Sequence, residues 1–324
     1  MTTPTTTASG PVSVEQVSCP DCGADHGEIV AAGPDFDNHA CGDQEFTLVR
    51  CGACGTWYLN PRPTSDMLPV IYDAERYYAY SFSNRGNPVV LAARARRDQQ
   101  KIAQILEQLP NGNSSPHVLD IGAGDGALLD AFRNAGVPAH QLSGLDLEPG
   151  AVDRLRSRGY RAYLGCAEQL DFETGAFDVV TMIQVIEHVA NPGDVLSRIH
   201  RALTPGGVVV LETPNLGSWD RRFFAGRTWG GYHFPRHWTL WDEQGLRRLL
   251  AKRGFEVVGV ATPAAAVTWT WSVNHVLQDL RAPRRLAEFF SLSNPLALGF
   301  FWAIDLVPSL LRRSANLRVI ARSR

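Results

Sequence analysis

The sequence is short of several things, and each shortage removes a class of protein. Six cysteines in 324 residues are too few to staple a chain of this length. Thirty-one Lys and Arg against thirty-three Asp and Glu leave a formal charge of −2, so the strongly basic footprint of a duplex-binding protein is missing and no nucleic-acid partner is expected. No uncharged apolar run reaches the length of about eighteen residues that crosses a bilayer. The nearest, Leu296 to Val307, is interrupted by Asp305 and followed by Pro308. The N-terminus, MTTPTTTASGPVS, has no basic segment leading into an apolar one, so no secretory signal is visible; its Thr, Ser, Pro and Gly content reads as a disordered tail over 1–16. No internal repeat is apparent. What is left, with 44% hydrophobic and 20% charged residues, is an ordinary globular composition that fits one large α/β domain plus a small module, cytoplasmic by default.

Three regions separate by composition. Residues 17–60 hold two C-x-x-C pairs among Gly and Asp. Residues 61–115 form a connecting stretch that opens on Asn60-Pro61-Arg62-Pro63 and carries Tyr72, Tyr77, Tyr78 and Tyr80; the apolar spacing of 91–109 predicts a helix, ended by the break at 111–116. From His117 onward short β-type runs alternate with helix-type runs, which predicts a mostly parallel, doubly wound sheet covered on both faces. Strands are expected at 117–121, 142–145, 161–164, 177–182, 208–212, 255–261 and 317–321, and helices at 127–135, 151–158, 192–202 and 243–252, each stopped near a Gly or Pro. Residues 262–311 separate the last two strands and are too long for an ordinary connection, so they read as an apolar helical insertion before a final, antiparallel strand. The large domain is therefore expected over 116–261 with 312–324.

The most informative segment is Asp120-Ile121-Gly122-Ala123-Gly124-Asp125-Gly126. An apolar strand runs into glycines and a helix follows, so the backbone can turn sharply and a ligand can approach the unpaired N–H groups of the helix start. Asp146 ends the next strand, where a carboxylate can accept both hydroxyls of a ribose. Asp120 precedes the glycines. A negative charge there ill suits a pyrophosphate, and weighs against a nicotinamide-dependent oxidoreductase; it suits a cationic ligand with no phosphate.

With these residues in view, the chain resembles the class I S-adenosylmethionine-dependent methyltransferases. The resemblance rests on the glycine motif, on Gly144-Leu145-Asp146, on the run from Phe177 through Gln184, Glu187 and His188 to Val189, and on Leu203-Thr204-Pro205-Gly206-Gly207. The last two, with Glu212-Thr213-Pro214-Asn215, are close to the ubiquinone-biosynthesis-like branch. It implies a Rossmann-like seven-stranded sheet and S-adenosyl-L-methionine as methyl donor. By position, Gly122, Ala123 and Gly124 would shape the loop on the methionine part, Asp120 would hold its ammonium, Asp146 the ribose and Leu147 the adenine face. Ala167 and Glu168 lie where adenine contacts often arise, although Cys166 replaces the usual Asp. Gln184 would line the methionine end.

Cys19-Pro20-Asp21-Cys22-Gly23 and Cys51-Gly52-Ala53-Cys54-Gly55 are paired knuckles. Four soft thiolates at this spacing fit tetrahedral Zn2+ with no open position, hence a structural, zinc-ribbon-like site. Cys41 and Cys166 are left as unligated thiols, and His26 and His39 are alternative ligands. A zinc module joined through Asn-Pro-Arg-Pro to a methyltransferase domain also resembles deoxysugar C-methyltransferases, which generally carry a further C-terminal domain; its absence here weighs against a sugar-nucleotide acceptor.

Methyl transfer requires alignment, and with an oxygen or carbon acceptor a proton acceptor as well. His237 is the first candidate base, with His233 in the same aromatic loop and His188 after the fourth strand; Arg236 is a candidate for an acidic substrate group or a helix cap. The acceptor is expected to be a small molecule, lipid-like, quinone-like or a sugar. The apolar insertion, with Arg281, Arg284, Arg285, Arg312 and Arg313 flanking it, is either a buried interface or an interfacial anchor, which would make peripheral membrane contact through 281–313 on the inner face of the membrane. A rival of another class is a cofactor-binding scaffold that acts without turnover through its zinc module and insertion.

Overall fold

The computed structural model describes residues 10–72, 88–110, 115–169 and 171–324. Tyr77, Tyr78, Tyr80 and residues 111–114 lie outside the described residues. In chain order the strands are β1 (Val14–Glu15), β2 (Gly27–Pro34), β3 (Glu45–Cys51), β4 (Trp57–Leu59), β5 (Arg62–Pro63), β6 (Val118–Ile121), β7 (Leu142–Asp146), β8 (Arg161–Leu164), β9 (Phe177–Ile183), β10 (Leu203–Pro214), β11 (Thr239–Leu240), β12 (Phe255–Ala261) and β13 (Asn316–Ser323). The helices are α1 (Leu68–Ile71), α2 (Pro88–Leu106), α3 (Ala127–Asn134), α4 (Pro149–Ser157), α5 (Pro192–Ala202), α6 (Trp219–Phe223), α7 (Glu243–Lys252), α8 (Ala266–Asp279), α9 (Arg284–Phe289) and α10 (Pro295–Leu310). They divide between two compact units. One comprises Met1–Tyr78, Asn215–Trp241 and Ala264–Ala315, the other Ala79–Pro214, Asp242–Pro263 and Asn316–Arg324.

The second unit holds a seven-stranded sheet in the order β12-β13-β10-β9-β6-β7-β8. Neighbours from β10 to β8 run parallel, and β13 is antiparallel to both β10 and β12, as the Rossmann-like class I methyltransferase fold requires. The helix starts are written locally: Glu148, Asn191 and Asp242 each accept a backbone N–H of the helix they open, and Pro149 and Pro192 occupy first-turn positions where a missing N–H costs nothing. α5 buries Val195, Leu196, Ile199 and Ala202, a helical stripe that faces the core. That core includes Val118, Phe132, Leu155, Val179, Val210 and Ile320. Each such side chain contributes about 1.5–3 kcal/mol on burial. Because β7 and β9 lie on opposite sides of β6, the chain reverses direction across the sheet at β6, and the crevice beyond the carboxyl ends of β6 and β9 is where such sheets receive ligands.

The first unit is assembled from three separate stretches of chain. Its four-stranded antiparallel sheet has the order β11-β4-β3-β2, so β11, which follows the histidine-bearing loop, joins strands of the cysteine-rich region. Val14 and Glu15, expected in a disordered tail, instead form β1 and pair with β5. The Arg62 guanidinium reaches the Glu15 carboxylate at 2.9 Å, a contact that residue spacing in the tail does not announce. The insertion folds as α8, α9 and α10. Asp305 fastens α10 to α8: its carboxylate accepts the Ala265 N–H at 2.8 Å, the Trp269 indole at 2.9 Å and the Ser314 hydroxyl. Among the described residues, no helix is long and apolar enough to cross a membrane.

Candidate functional site

In the second unit the loop after β6 is possible only with glycine. Gly122, Gly124 and Gly126 adopt φ of 74°, 54° and 79°. A Cβ at Gly122 would stand 2.5 Å from a methyl of Val185. The N–H groups of Gly122 and Ala123 donate to the Leu145 carbonyl at 2.8 and 3.1 Å, which ties the loop to the end of β7. Asp146 completes this tie, accepting the Gly124 N–H at 2.8 Å and the Glu148 N–H at 2.9 Å. Burial raises its pKa, opposed by those same N–H groups.

Asp120 is 4% exposed and accepts a hydrogen bond of 2.6 Å from the Thr181 hydroxyl. Burial pushes its carboxyl up to about 7, against the opposing pull of Thr181 and Lys101. A carboxylate so placed favours a cation beside it. Gln184 stands one residue past β9 with φ of 57°, and its own N–H donates to the Glu212 carbonyl at 2.7 Å. Its side-chain Nε2 is buried with no hydrogen-bond partner among the described residues. Such a donor is costly unless something accepts from it. Leu147 is 60% exposed. Ala167 is buried and Glu168 accepts the Ala190 N–H at 2.9 Å, within a turn at Ala167–Gln169. His188 is half-buried at the end of the short turn Ile186–His188.

Four charged residues, Glu212, Glu187, Lys101 and Arg318, were given no role by the sequence. Glu212 is buried between Arg318 at 2.8 Å and Lys101 at 3.5 Å. Burial alone would raise its pKa, but the two cations outweigh that and hold it at about 2. Glu187 is wholly buried, and burial lifts its carboxyl to about 8. The available signal was an Arg inside the apolar run 316–323 and an acid directly before His188, neither of which identifies its partner.

In the first unit the four cysteines meet. Cys19 and Cys54 sulfurs lie 3.6 Å apart and Cys22 and Cys51 sulfurs 3.5 Å apart, and all four fall within 4.8 Å of one another. A tetrahedron with metal–sulfur bonds of about 2.3 Å has sulfur–sulfur edges of roughly 3.8 Å. The donor set therefore fits. Gly23 and Gly55, at φ of 75° and 79°, turn each knuckle back so that their N–H groups donate to the Cys19 and Cys51 carbonyls. Asp21 braces the first knuckle by accepting from the Thr56 hydroxyl at 2.6 Å and the Trp241 indole at 2.9 Å. Cys41 is buried apart from this group, and Cys166 belongs to the second unit.

The histidine loop is held by the same unit. His237 Nδ1 lies 2.8 Å from the Gly231 carbonyl, an acceptor only, so Nδ1 carries the proton and the neutral ring keeps its lone pair on Nε2. His233 Nδ1 lies 2.7 Å from one oxygen of Asp37, whose other oxygen is 2.9 Å from His275 Nε2. His233 also stacks on Trp271, with centroids 5.1 Å apart. Burial works to raise the Asp37 pKa, but the two imidazoles overcome it and keep the carboxyl well below its ordinary value. Arg236, considered as a substrate-binding or helix-capping cation, is wholly buried and caps the C-terminal end of α1. It forms a two-pronged pair with Asp35 at 2.9 and 3.1 Å and donates through Nε to the Ile71 carbonyl at 2.8 Å; the pair is wholly buried.

With this geometry in place, a family model described as a methyltransferase domain matches residues 93–260. The chain belongs to the methyltransferase-domain family. The match covers the β6 glycine loop, Asp146, Gln184 and the strands to β12. Curated relatives of this methyltransferase chain include the ubiquinone biosynthesis O-methyltransferase of Pseudomonas aeruginosa, 39% identical over 113 residues, which make up 32% of this chain and 47% of that protein. The corresponding enzyme of Sodalis glossinidius is 33% identical over 122 residues, 36% of this chain and 47% of that one. The chain thus spans about half the length of the curated relatives it matches. Among solved structures, the 1,6-didemethyltoxoflavin-N1-methyltransferase of Burkholderia thailandensis, with S-adenosylhomocysteine bound, aligns over 86% of this chain and 95% of its own at a TM-score of 0.50 and 18% identity. That likeness is one of fold.

Proposed function

We propose that the protein transfers the methyl group of S-adenosylmethionine to an oxygen or carbon atom of a small acceptor. One observation carries this reading: a buried carboxylate (Asp120) and a buried, unpartnered amide donor (Gln184) flank a glycine loop whose left-handed backbone disfavours side chains. The methionine end of the donor offers what these two lack, an ammonium for Asp120 and a carboxylate for Gln184. Asp146 retains lone pairs for the ribose hydroxyls, and exposed Leu147 offers an apolar face to the adenine, with Ala167 and Glu168 at its edge. When bound, the donor supplies a methyl group already activated by its sulfonium, and the chain has to bind, orient and exclude water. A dinucleotide would set a pyrophosphate beside Asp120, which disfavours an oxidoreductase.

His237 is our candidate for proton acceptor, because its tautomer is fixed with the lone pair on Nε2. His233 is engaged by Asp37 and Trp271 and suits a positioning role; His188 is the alternative base. The four cysteines take Zn2+ as a structural ion, which suits a reducing, cytoplasmic compartment. The relatives act in ubiquinone biosynthesis by their names, which supports an oxygen acceptor on a quinone-like or lipid-like molecule over a sugar.

Calorimetry on full-length, zinc-loaded protein tests the reading. S-adenosylhomocysteine should bind with micromolar or better affinity, Gln184→Ala should weaken it about tenfold, the equivalent of one lost hydrogen bond to a charged group, and NADH should give no heat. No heat with S-adenosylhomocysteine, or clean titration by NADH, would overturn it.

A further inference from the structure

α10 carries fourteen apolar or small residues and one charge, and yet it is not a buried helix. Only Ala297, Phe301, Asp305 and Pro308 are buried, the single stripe expected of a helix that touches its support along one line. The rest of its circumference is apolar and outside: Leu310 is 84% exposed, Leu296 75%, Phe300 60% and Val307 55%, with Trp302 also exposed. Phe289 and Leu286 in α9 continue this surface. The arrangement is enforced, because the one acid of α10 is turned inward and fastened by the Ala265 N–H, the Trp269 indole and the Ser314 hydroxyl. Were Asp305 to face outward, the outer surface would be polar. Sixteen residues at about 1.5 Å each give a helix of roughly 24 Å, too short to span a hydrocarbon core of about 30 Å.

Charge decides what covers this surface. Arg281, Arg284, Arg285, Arg312 and Arg313 stand exposed at the ends of these helices. Arg284 is paired with Glu288 at 2.8 Å, whereas Arg281, Arg285 and Arg312 have no acidic partner among the described residues. A second copy of the chain docked on the same face would bring its own unpaired arginines, while the exposed acids beside them, Glu288 and Asp279, are already held by Arg284 and Arg227. Anionic headgroups beside hydrocarbon supply both missing complements at once, and an indole at such a boundary is favoured.

We propose that the surface formed by α9, α10 and their flanking arginines docks the protein on anionic lipid bilayers, with α10 lying in the plane of the interface. This goes beyond methyl transfer and stands independently of it. The test is flotation of the full-length, zinc-loaded protein with phosphatidylcholine vesicles that contain or lack phosphatidylglycerol, at low salt. The bound fraction should be at least about tenfold greater with phosphatidylglycerol. Phe300→Glu with Leu310→Glu should return it to background, and Arg285→Glu with Arg312→Glu should bring it to the level of the neutral vesicles. Calorimetry with S-adenosylhomocysteine on each variant, unchanged within about twofold, shows that the fold is kept; flotation of wild type without such binding would sink the methyltransferase reading and leave the docking surface standing. The proposal is overturned if wild type stays unbound with anionic vesicles. It is equally overturned if light scattering finds a lipid-free dimer that the two glutamates dissociate.

Discussion

The two units are held together by different physics. In the second, apolar side chains at strand and helix periods fill one core, and buried charged residues such as Asp120, Asp146 and Glu212 are exceptions to it. In the first, the sheet is small, and an aromatic core that buries Trp229, Trp241, Tyr58 and Tyr232 is threaded by specific partners: four thiols, the buried Arg236–Asp35 pair, Asp37 between His233 and His275, and Asp305 with its three donors. Apolar cores tolerate exchange if volume is kept, whereas a buried polar contact fails when one partner is lost. The first unit should therefore be brittle at a few positions and the second graded over many.

Metal removal should give the largest contrast. Structural zinc in small modules is worth about 10–16 kcal/mol of apparent binding free energy. Chelation, or Cys19→Ser, should abolish the near-ultraviolet signal of the first unit while the second still binds S-adenosylhomocysteine; equal loss of both would erase the distinction. If the first unit also takes part in chemistry, His237→Gln should lower kcat by about 10²–10⁴-fold with cofactor affinity unchanged, and steady-state rates with calorimetry on the same preparation check this. An unchanged kcat would make the unit an appendage. Arg236→Met should cost about 3–5 kcal/mol in urea unfolding, because it strands Asp35 as a buried charge, and the added change Asp35→Leu should restore much of it.

A pH dependence of similar size sharpens the other side. Asp120 titrates near 3.8 in an unfolded chain and about 7 when folded. Between those values the folded state holds a proton that the unfolded state has released. Its contribution to ligand-free stability is therefore present at acid pH and lost as pH rises through about 7, by about 1.4 kcal/mol for each pH unit in the window. Asp120→Asn should remove that decline, so melting curves should find it more stable than wild type at pH 8 and similar at pH 4. The same variant should bind S-adenosylhomocysteine at least about tenfold more weakly at pH 8, having lost a charge-assisted hydrogen bond. A variant that is less stable at pH 8 would refute the account of Asp120 as a carboxylate waiting for a cation.

Most of the second unit was legible in advance. The strands at 161–164 and 255–261 and the helices at 192–202 and 243–252 have the bounds that periodicity and stop signals give. β10 is longer than expected because Leu203 already pairs with Phe177 before a register shift admits the Pro-Gly-Gly turn. The glycine loop was legible because left-handed backbone selects glycine at Gly122 and Gly124. Lys101 and Arg318 were not, since no local rule says that two cations will meet one buried Glu212.

The sequence by itself determined the winding order, the helix ends, the glycine loop and the two C-x-x-C pairs of the donor set, each written in short runs of chain or in their order. Only the tertiary structure decided that β11 completes the sheet of the cysteine-rich region, that Arg236 belongs to Asp35, and that α10 turns its one acid inward and its apolar face out. The reason is separation: Asp35 and Arg236 are 201 positions apart and Asp37 and His275 are 238 apart. Charge and hydrogen-bond complementarity at that range leave no period in the sequence, and the partners become known when the chain has brought them together.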